Sequence, residues 1–201
     1  MSFFSKFLSV VGRDSVDRIF IALLGILLLI NLPYFLNAIL PFHDTMNIFK
    51  SFYFFYNDFF FNNELPQWLP FGYFGIQSDY FFISTLSVSN YFIGFIGWLL
   101  NIKDTLFLFN LSLFFEQLLF LIGTYLLSLN LFKHKTVVFS VCLVAITSNV
   151  FATQLYYNFR LYSFLPFIIY FIHLFFSRCK LQYLMLAMIV YDLSLFGIVP
   201  Y

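Results

Sequence analysis

Residues 19–40 read IFIALLGILLLINLPYFLNAIL, apolar apart from Asn31 and Asn37, and a run of that kind leaves a chain few choices. As a helix it extends about 33 Å at ~1.5 Å per residue, enough to cross the hydrocarbon core of a bilayer. A cleaved signal peptide has a shorter apolar region followed by a small-residue cleavage site; neither is evident, so the run reads as an uncleaved first span, kinked in its outer half by Pro33. The rest of the chain agrees. With 62% hydrophobic and 9% charged residues it has too little polar surface to close into a soluble globule, and the expected fold class is an all-α polytopic membrane protein. No basic run exists that would neutralise a phosphate backbone, which excludes a nucleic-acid partner. The 34 Phe and 14 Tyr read as Phe used in place of Leu, without functional weight as a class. Cys142 and Cys179 fall in or beside apolar segments and read as apolar filler rather than a disulfide or a metal site.

The order of segments follows from charge. Residues 1–18 carry Lys6, Arg13 and Arg18 and an apolar face, as expected of a cytoplasmic amphipathic start. Residues 41–80 form the one long stretch that is neither a span nor a short turn, with Asp44, Asp58, Glu64 and Asp79 in it. The segment 80–100 is long enough to cross, yet polar for a span. If it crosses, Lys6, Arg13, Arg18, Lys103 and Arg160 lie inside and Lys50, Lys133, Lys135, Arg178 and Lys180 outside, an even division of the ten cations. If it stays outside as a re-entrant or interfacial helix pair, Lys133, Lys135, Arg178 and Lys180 join Lys6, Arg13 and Arg18 inside, and only Lys50, Lys103 and Arg160 remain out. The positive-inside tendency selects the second arrangement. The expected architecture is therefore a single integral membrane domain of about five transmembrane helices, at 19–40, 105–132, 136–153, 161–177 and 181–199. A large first outer loop, 41–104, contains juxtamembrane or re-entrant helices. Backbone that enters the membrane without crossing must be buried against protein or line a cavity, so a pocket beside 80–100 is expected.

Asp44 falls just beyond the first span, with His43 before it and Thr45 after it. An acid there is placed to meet a polar head projecting from the bilayer, and equally to cap the helix that TMNIFKSFYFF forms. Further on, ELPQWLPFGYFG at 64–75 packs prolines, glycines and Trp68 into a rigid, non-helical turn, which serves either as a shaped surface or as an interfacial aromatic belt. Within the apolar segments Glu116, His173 and Asp192 are costly residues; Glu116 and His173 are expected to meet as a buried pair.

An acid after the first span, then a helix, then Leu65, Pro66, Trp68 and Pro70 with Gly72 and Gly75, then a weakly apolar outer segment, resembles the amino-terminal part of the YfhO-type bacterial membrane proteins. The segment SNVFATQLYYNFRLYSFLPFIIYFI at 148–172 is similar to the third-to-fourth span region of that family. These proteins belong to the wider GT-C class of glycosyltransferases, which take sugars from polyprenyl-phosphate carriers, and that class has more spans and a further outer domain. The resemblance implies a truncated GT-C core in the bacterial cytoplasmic membrane, with its amino terminus cytoplasmic and its acceptor a component of the cell envelope. It implies Asp44 as the general base that deprotonates the acceptor hydroxyl. His43, Lys50, Trp68 and Arg160 become candidate substrate contacts, Arg160 for the departing polyprenyl phosphate, although snorkelling to lipid headgroups accounts for Arg160 equally well. The loop acids Asp58, Glu64 and Asp79 read as solvated charges. One of them beside Asp44 would suit a divalent cation, but no spacing demands a metal. A non-enzymatic carrier or flippase for lipid-linked sugars, and an inactive fragment, are the other readings of the same residues.

Overall fold

Two asparagines in the left-handed region decide where the first helices stop. The computed structural model describes residues 14–40, 44–62, 64, 68–69, 76–77, 86–148 and 161–196. Helix α1, Asp14–Phe35, runs through the first apolar stretch with Pro33 in its last turn. Asn37 then takes φ 54°; its N–H donates to the Tyr34 carbonyl at 3.1 Å, and the Ala38 N–H to the Pro33 carbonyl at 2.9 Å. This is a Schellman closure, which ends the helix at Phe35 rather than at the expected residue 40. Asn101 ends a later helix in the same way, with φ 53° and the Ile102 N–H donating to Gly97 O at 2.8 Å.

Helix α2, Asp44–Phe55, continues directly as a π-helical turn, Tyr56–Phe61. Its buried positions Ile48, Phe52, Phe55 and Tyr56 recur at helical spacing and define one inward face, while Lys50 is exposed. Strand β1, Trp68–Leu69, pairs antiparallel with β2, Ile76–Gln77, in the register Trp68 opposite Gln77 and Leu69 opposite Ile76. Of the expected non-helical turn at 64–75, Glu64 and β1 are described and the remaining residues lie outside the described set. Four more helices and one short one complete the fold: α3 is Val88–Leu99, α4 Thr105–Leu131, α5 Lys135–Thr147, α6 Leu161–Arg178 and α7 Leu181–Ser194. Apart from the hairpin, the described residues are helical or in turns.

Helix α4 is the axis of the molecule: α1, α2, α3, α5 and α6 all pack on it, and α7 packs on α6. Along its carboxyl half, Leu121 and Tyr125 meet Leu23 and Leu27 of α1 and Val138, Cys142 and Ile146 of α5. On its amino half, Leu108, Phe109 and Leu113 meet Ile48, Phe52, Phe55 and Tyr56 of α2 and Ile93 of α3. The Phe residues are the bulk of this packing. Phe52 stacks on Tyr56 with ring centroids 5.8 Å apart, and Phe49 and Phe52 lie 5.5 and 5.9 Å from Phe109. Phe55 meets Tyr91 edge-on at 5.1 Å. A third cluster, Phe171, Leu174, Tyr183 and Ala187, joins α6 to α7.

Two of these helices, over residues 18–35 and Thr105–Leu131, are long and apolar enough to cross a membrane. They differ in environment: half of the α4 window is buried, but only 17% of the α1 window. Apolar side chains also cover the outside of α7, where Leu181, Met185, Met188 and Ile189 are exposed. Helices α5 and α7, with 13 and 14 residues, are about 20 Å long and do not alone match a hydrocarbon core of ~30 Å. The expected amphipathic start at 1–18 lies outside the described residues up to residue 13, and α1 already includes Asp14.

Candidate functional site

Helix α4 is apolar along most of its length, and four of its polar residues gather on two faces of its amino half. Ser112 and Glu116 are four apart and share the face toward α3; Asn110 and Gln117 are seven apart and share the face toward α1. All four are buried, Glu116 with 6% of its surface exposed and Ser112 with none. On the α1 side, Asn31 Nδ2 donates to Gln117 Oε1 at 2.5 Å and to its own Leu27 carbonyl at 2.9 Å. Asn110 Nδ2 donates to the Tyr34 carbonyl at 2.9 Å. Asn110 Oδ1 and Gln117 Nε2 are buried without a partner among the described residues.

The α3 side is better satisfied. Ser87 is the N-cap of α3, and Ser87 and Asn90 form a reciprocal capping box: the Asn90 N–H donates to Ser87 Oγ at 3.4 Å and the Ser87 N–H to Asn90 Oδ1 at 3.1 Å. Asn90 Nδ2 then donates to Ser112 Oγ at 2.7 Å, and the Ser112 hydroxyl donates to the Phe109 carbonyl at 2.7 Å. Ser87 Oγ also makes a close hydrogen bond with Glu116 Oε1. The capped end of α3 is therefore docked, through side chains alone, onto the middle of α4. At the other end of α3 the two backbones come close. A Cβ on Gly97 would lie 2.5 and 2.7 Å from the Leu108 methyl carbons. Beside it the Tyr56 hydroxyl donates to the Ile102 carbonyl at 2.6 Å. Burial pushes the Tyr56 hydroxyl above its ordinary range, which keeps it protonated and able to donate.

Within the segment 80–100, the described residues 86–100 hold one twelve-residue helix, about 18 Å long. Its buried side is filled by protein: Ser89, Asn90, Ile93, Gly94 and Gly97 are all covered.

The sequence-predicted residues lie elsewhere. Asp44 is the first residue of α2, a position where the helix dipole favours an acid. Trp68 begins β1. Lys50 is exposed on the side of α2 away from α4, and His43 and Arg160 lie outside the described residues. Asp58 accepts from Asn62 Nδ2 at 3.3 Å, and Glu64 is exposed, as solvated loop charges would be; Asp79 is outside the described residues. Glu116 is buried and hydrogen-bonded to Ser87 of α3, while His173 is half-buried on α6. Cys142 is buried between α5, α1 and α4, whereas Cys179 is exposed at the α6–α7 turn with φ 50°. Among the described residues no group of three His, Cys, Asp or Glu side chains is placed to hold a metal.

Sequence reasoning missed the Ser87–Asn90 box. Its signal was present as SVSN ahead of an apolar run, with Ser112 and Glu116 spaced to meet it. No family model, curated protein or solved structure matches the chain. Fold and site together define an all-α protein built on two helices long and apolar enough to cross a membrane, with a buried polar seam along the longer of them.

Proposed function

We propose that this chain is an integral membrane protein of the bacterial cytoplasmic membrane, with a cytoplasmic amino terminus. In this arrangement α1, α4, α5, α6 and α7 cross the bilayer, and α2 and α3 pack onto the outer half of α4. The observation that carries the proposal is α3. Its capped end is held on the middle of α4 through Ser87 and Asn90, and Gly97 near its other end abuts Leu108 near the start of α4, so α3 runs back along α4 instead of continuing away from it. The exposed apolar surface of α1 and α7 supports the same reading, because in water it would cost far more than in lipid.

In function, the chain works as a GT-C-like glycosyltransferase or its amino-terminal part, moving a sugar from a polyprenyl-phosphate carrier to a cell-envelope acceptor. Juxtamembrane helices after the first span are what the resemblance implies, and two helices that follow α1 and pack on α4 support it. Asp44 takes the proton from the acceptor hydroxyl as it attacks the anomeric carbon. Arg160, with Lys50 behind it, neutralises the departing lipid phosphate, and His43 and Trp68 line the donor. Any divalent cation would be held at the same end by Asp44 and a loop acid. A second reading, a non-enzymatic carrier for the same lipid, is favoured by the buried polar seam of α4, since polar groups at membrane depth commonly mark pathways.

Asp44→Asn separates the two. Assayed with polyprenyl-phosphate sugar in reconstituted vesicles, it should lower transfer by ~10²–10⁴-fold, the usual contribution of a positioned base, and leave binding of the lipid donor unchanged. Undiminished transfer removes Asp44 as the base. Wild-type vesicles that move the lipid between leaflets but transfer no sugar establish the carrier reading instead.

A further inference from the structure

Helix α7 carries two seams, and α6 covers one of them. Tyr183 and Ala187 are buried against Phe171 and Leu174 of α6, with Leu186 and Val190 packed beside them. Asp192 follows Tyr183 by nine residues, which at about 100° per residue places it half a turn around the helix, on the opposite side. There Leu181, Met185, Met188, Asp192 and Leu195 succeed one another at alternating steps of four and three residues, and all five are exposed. This is the spacing of a helix–helix seam, with an acid at one of its positions. Asp192 is about 17 Å along the axis from Leu181, as deep as the middle of a hydrocarbon core of ~30 Å. Its side chain takes no hydrogen bond or ion pair among the described residues. Exposed apolar side chains suit lipid. An acid in their midst does not, because ionisable residues at that depth face other protein and pair there.

We infer that, with α7 crossing the bilayer as proposed above, this exposed seam is the docking surface for a membrane-spanning helix of another protein that carries a Lys or Arg near mid-membrane. Asp192 dictates that chemistry. A carboxyl group in lipid is best met by a side chain that brings opposite charge and several N–H donors together, as the ammonium of Lys and the guanidinium of Arg do. A second copy of this chain does not offer one at that depth. All ten Lys and Arg residues lie outside the crossing helices or near an end of one, and a symmetric parallel pair would set Asp192 against Asp192. The apolar positions supply the rest of the contact. Met185 and Met188 are unbranched and polarisable, and so adapt to a partner surface unlike their own. A single polar position in an apolar seam also fixes register, because sliding the partner by one turn leaves the carboxyl against hydrocarbon.

The test uses the full-length Cys142→Ala protein in lipid vesicles, with a donor dye on Cys179, which is exposed at the α6–α7 turn. Its probe is a synthetic Leu-rich spanning peptide that carries one central Lys and an acceptor dye. Energy transfer should report association about tenfold tighter than for the same peptide with Leu in place of Lys. Asp192→Leu should remove that preference and leave the two peptides within about twofold of each other. Asp192→Lys should move the preference to a peptide with a central Asp, a gain that misfolding cannot produce. The crossing of α7 is read separately in intact cells with a membrane-impermeant thiol reagent. Cys179 should react only after the membrane is opened, and Tyr201→Cys, in a background with Cys142 and Cys179 replaced, without opening. Reaction of both from the same side removes the crossing, and the docking surface with it. Reaction from opposite sides, together with equal association of the Lys and Leu peptides, overturns the docking surface alone. So does an Asp192→Leu protein that still favours the Lys peptide. Self-association of the protein that Asp192→Leu abolishes overturns the choice of partner, assigning the seam to a second copy.

Discussion

Asn90 concentrates more of the structure in one side chain than any other residue of the described set. It is fully buried, it closes the capping box of α3, and it hands a hydrogen bond to Ser112 across the helix interface. Replacing it removes an acceptor from the Ser87 N–H and a donor from Ser112 while both stay buried. Asn90→Ala should therefore destabilise the protein by about 1–3 kcal/mol in denaturant unfolding in detergent. A loss near zero would mean that the network does not form. Part of this was legible, since Ser, Asn, Ser and Glu in apolar surroundings signal a need for partners. Which partners they take was not, because Ser87 and Glu116 are 29 residues apart and no local rule joins them. For the same reason no local rule chooses between His173 and Ser87 for Glu116; the hydrogen bond to Ser87 comes from a helix not counted among the spans.

At the scale of elements, helix ends were predicted too late wherever only hydropathy was followed. Residues 36–40 are apolar apart from Asn37, yet the helix has already closed, because a left-handed Asn satisfies the last carbonyls before the apolar run stops. By contrast, α4 occupies 105–131 against an expected 105–132. Here Asp104 accepts from the Phe107 N–H at 2.9 Å and marks the start in the sequence itself. Between α3 and α4 the contact depends on the absence of a side chain. Gly97→Ala should cost about 1–3 kcal/mol, since Leu108 is fully buried and has to move. Combining it with Leu108→Ala should give a loss smaller than the sum of the two single losses by roughly 1 kcal/mol or more. Simple additivity in that double-mutant cycle would show that α3 does not approach α4 at this point. The Phe-rich composition also acquires a role at this scale. Rings of α2, α3 and α4 interlock edge to face and stacked, so residues read as substitutes for Leu form the joint between the loop helices and the central helix.

For the whole molecule the question is on which side of a membrane the α3–α4 turn lies. In the proposed arrangement Lys103 is outside and Lys133, in the α4–α5 turn, is inside; a crossing α3 would exchange them. In a background with Cys142 and Cys179 replaced, Lys103→Cys should react with a membrane-impermeant thiol reagent added to intact cells, and Lys133→Cys should react only after the membrane is opened. The reverse pattern would overturn the five-crossing arrangement. The sequence by itself determined the all-α class and the position of the long apolar helices. Both follow from length and from the near-absence of charge, which act on each segment separately. It also raised the folded-back segment, through a count of charges along the chain. Only the tertiary structure decided that residues 88–99 of it form a short helix with a buried, capped end, and that Glu116 meets that end. Those facts depend on which surfaces of α1, α2 and α3 fit the ridges of α4, and the side chains that meet there come from segments that local sequence rules treat as unrelated.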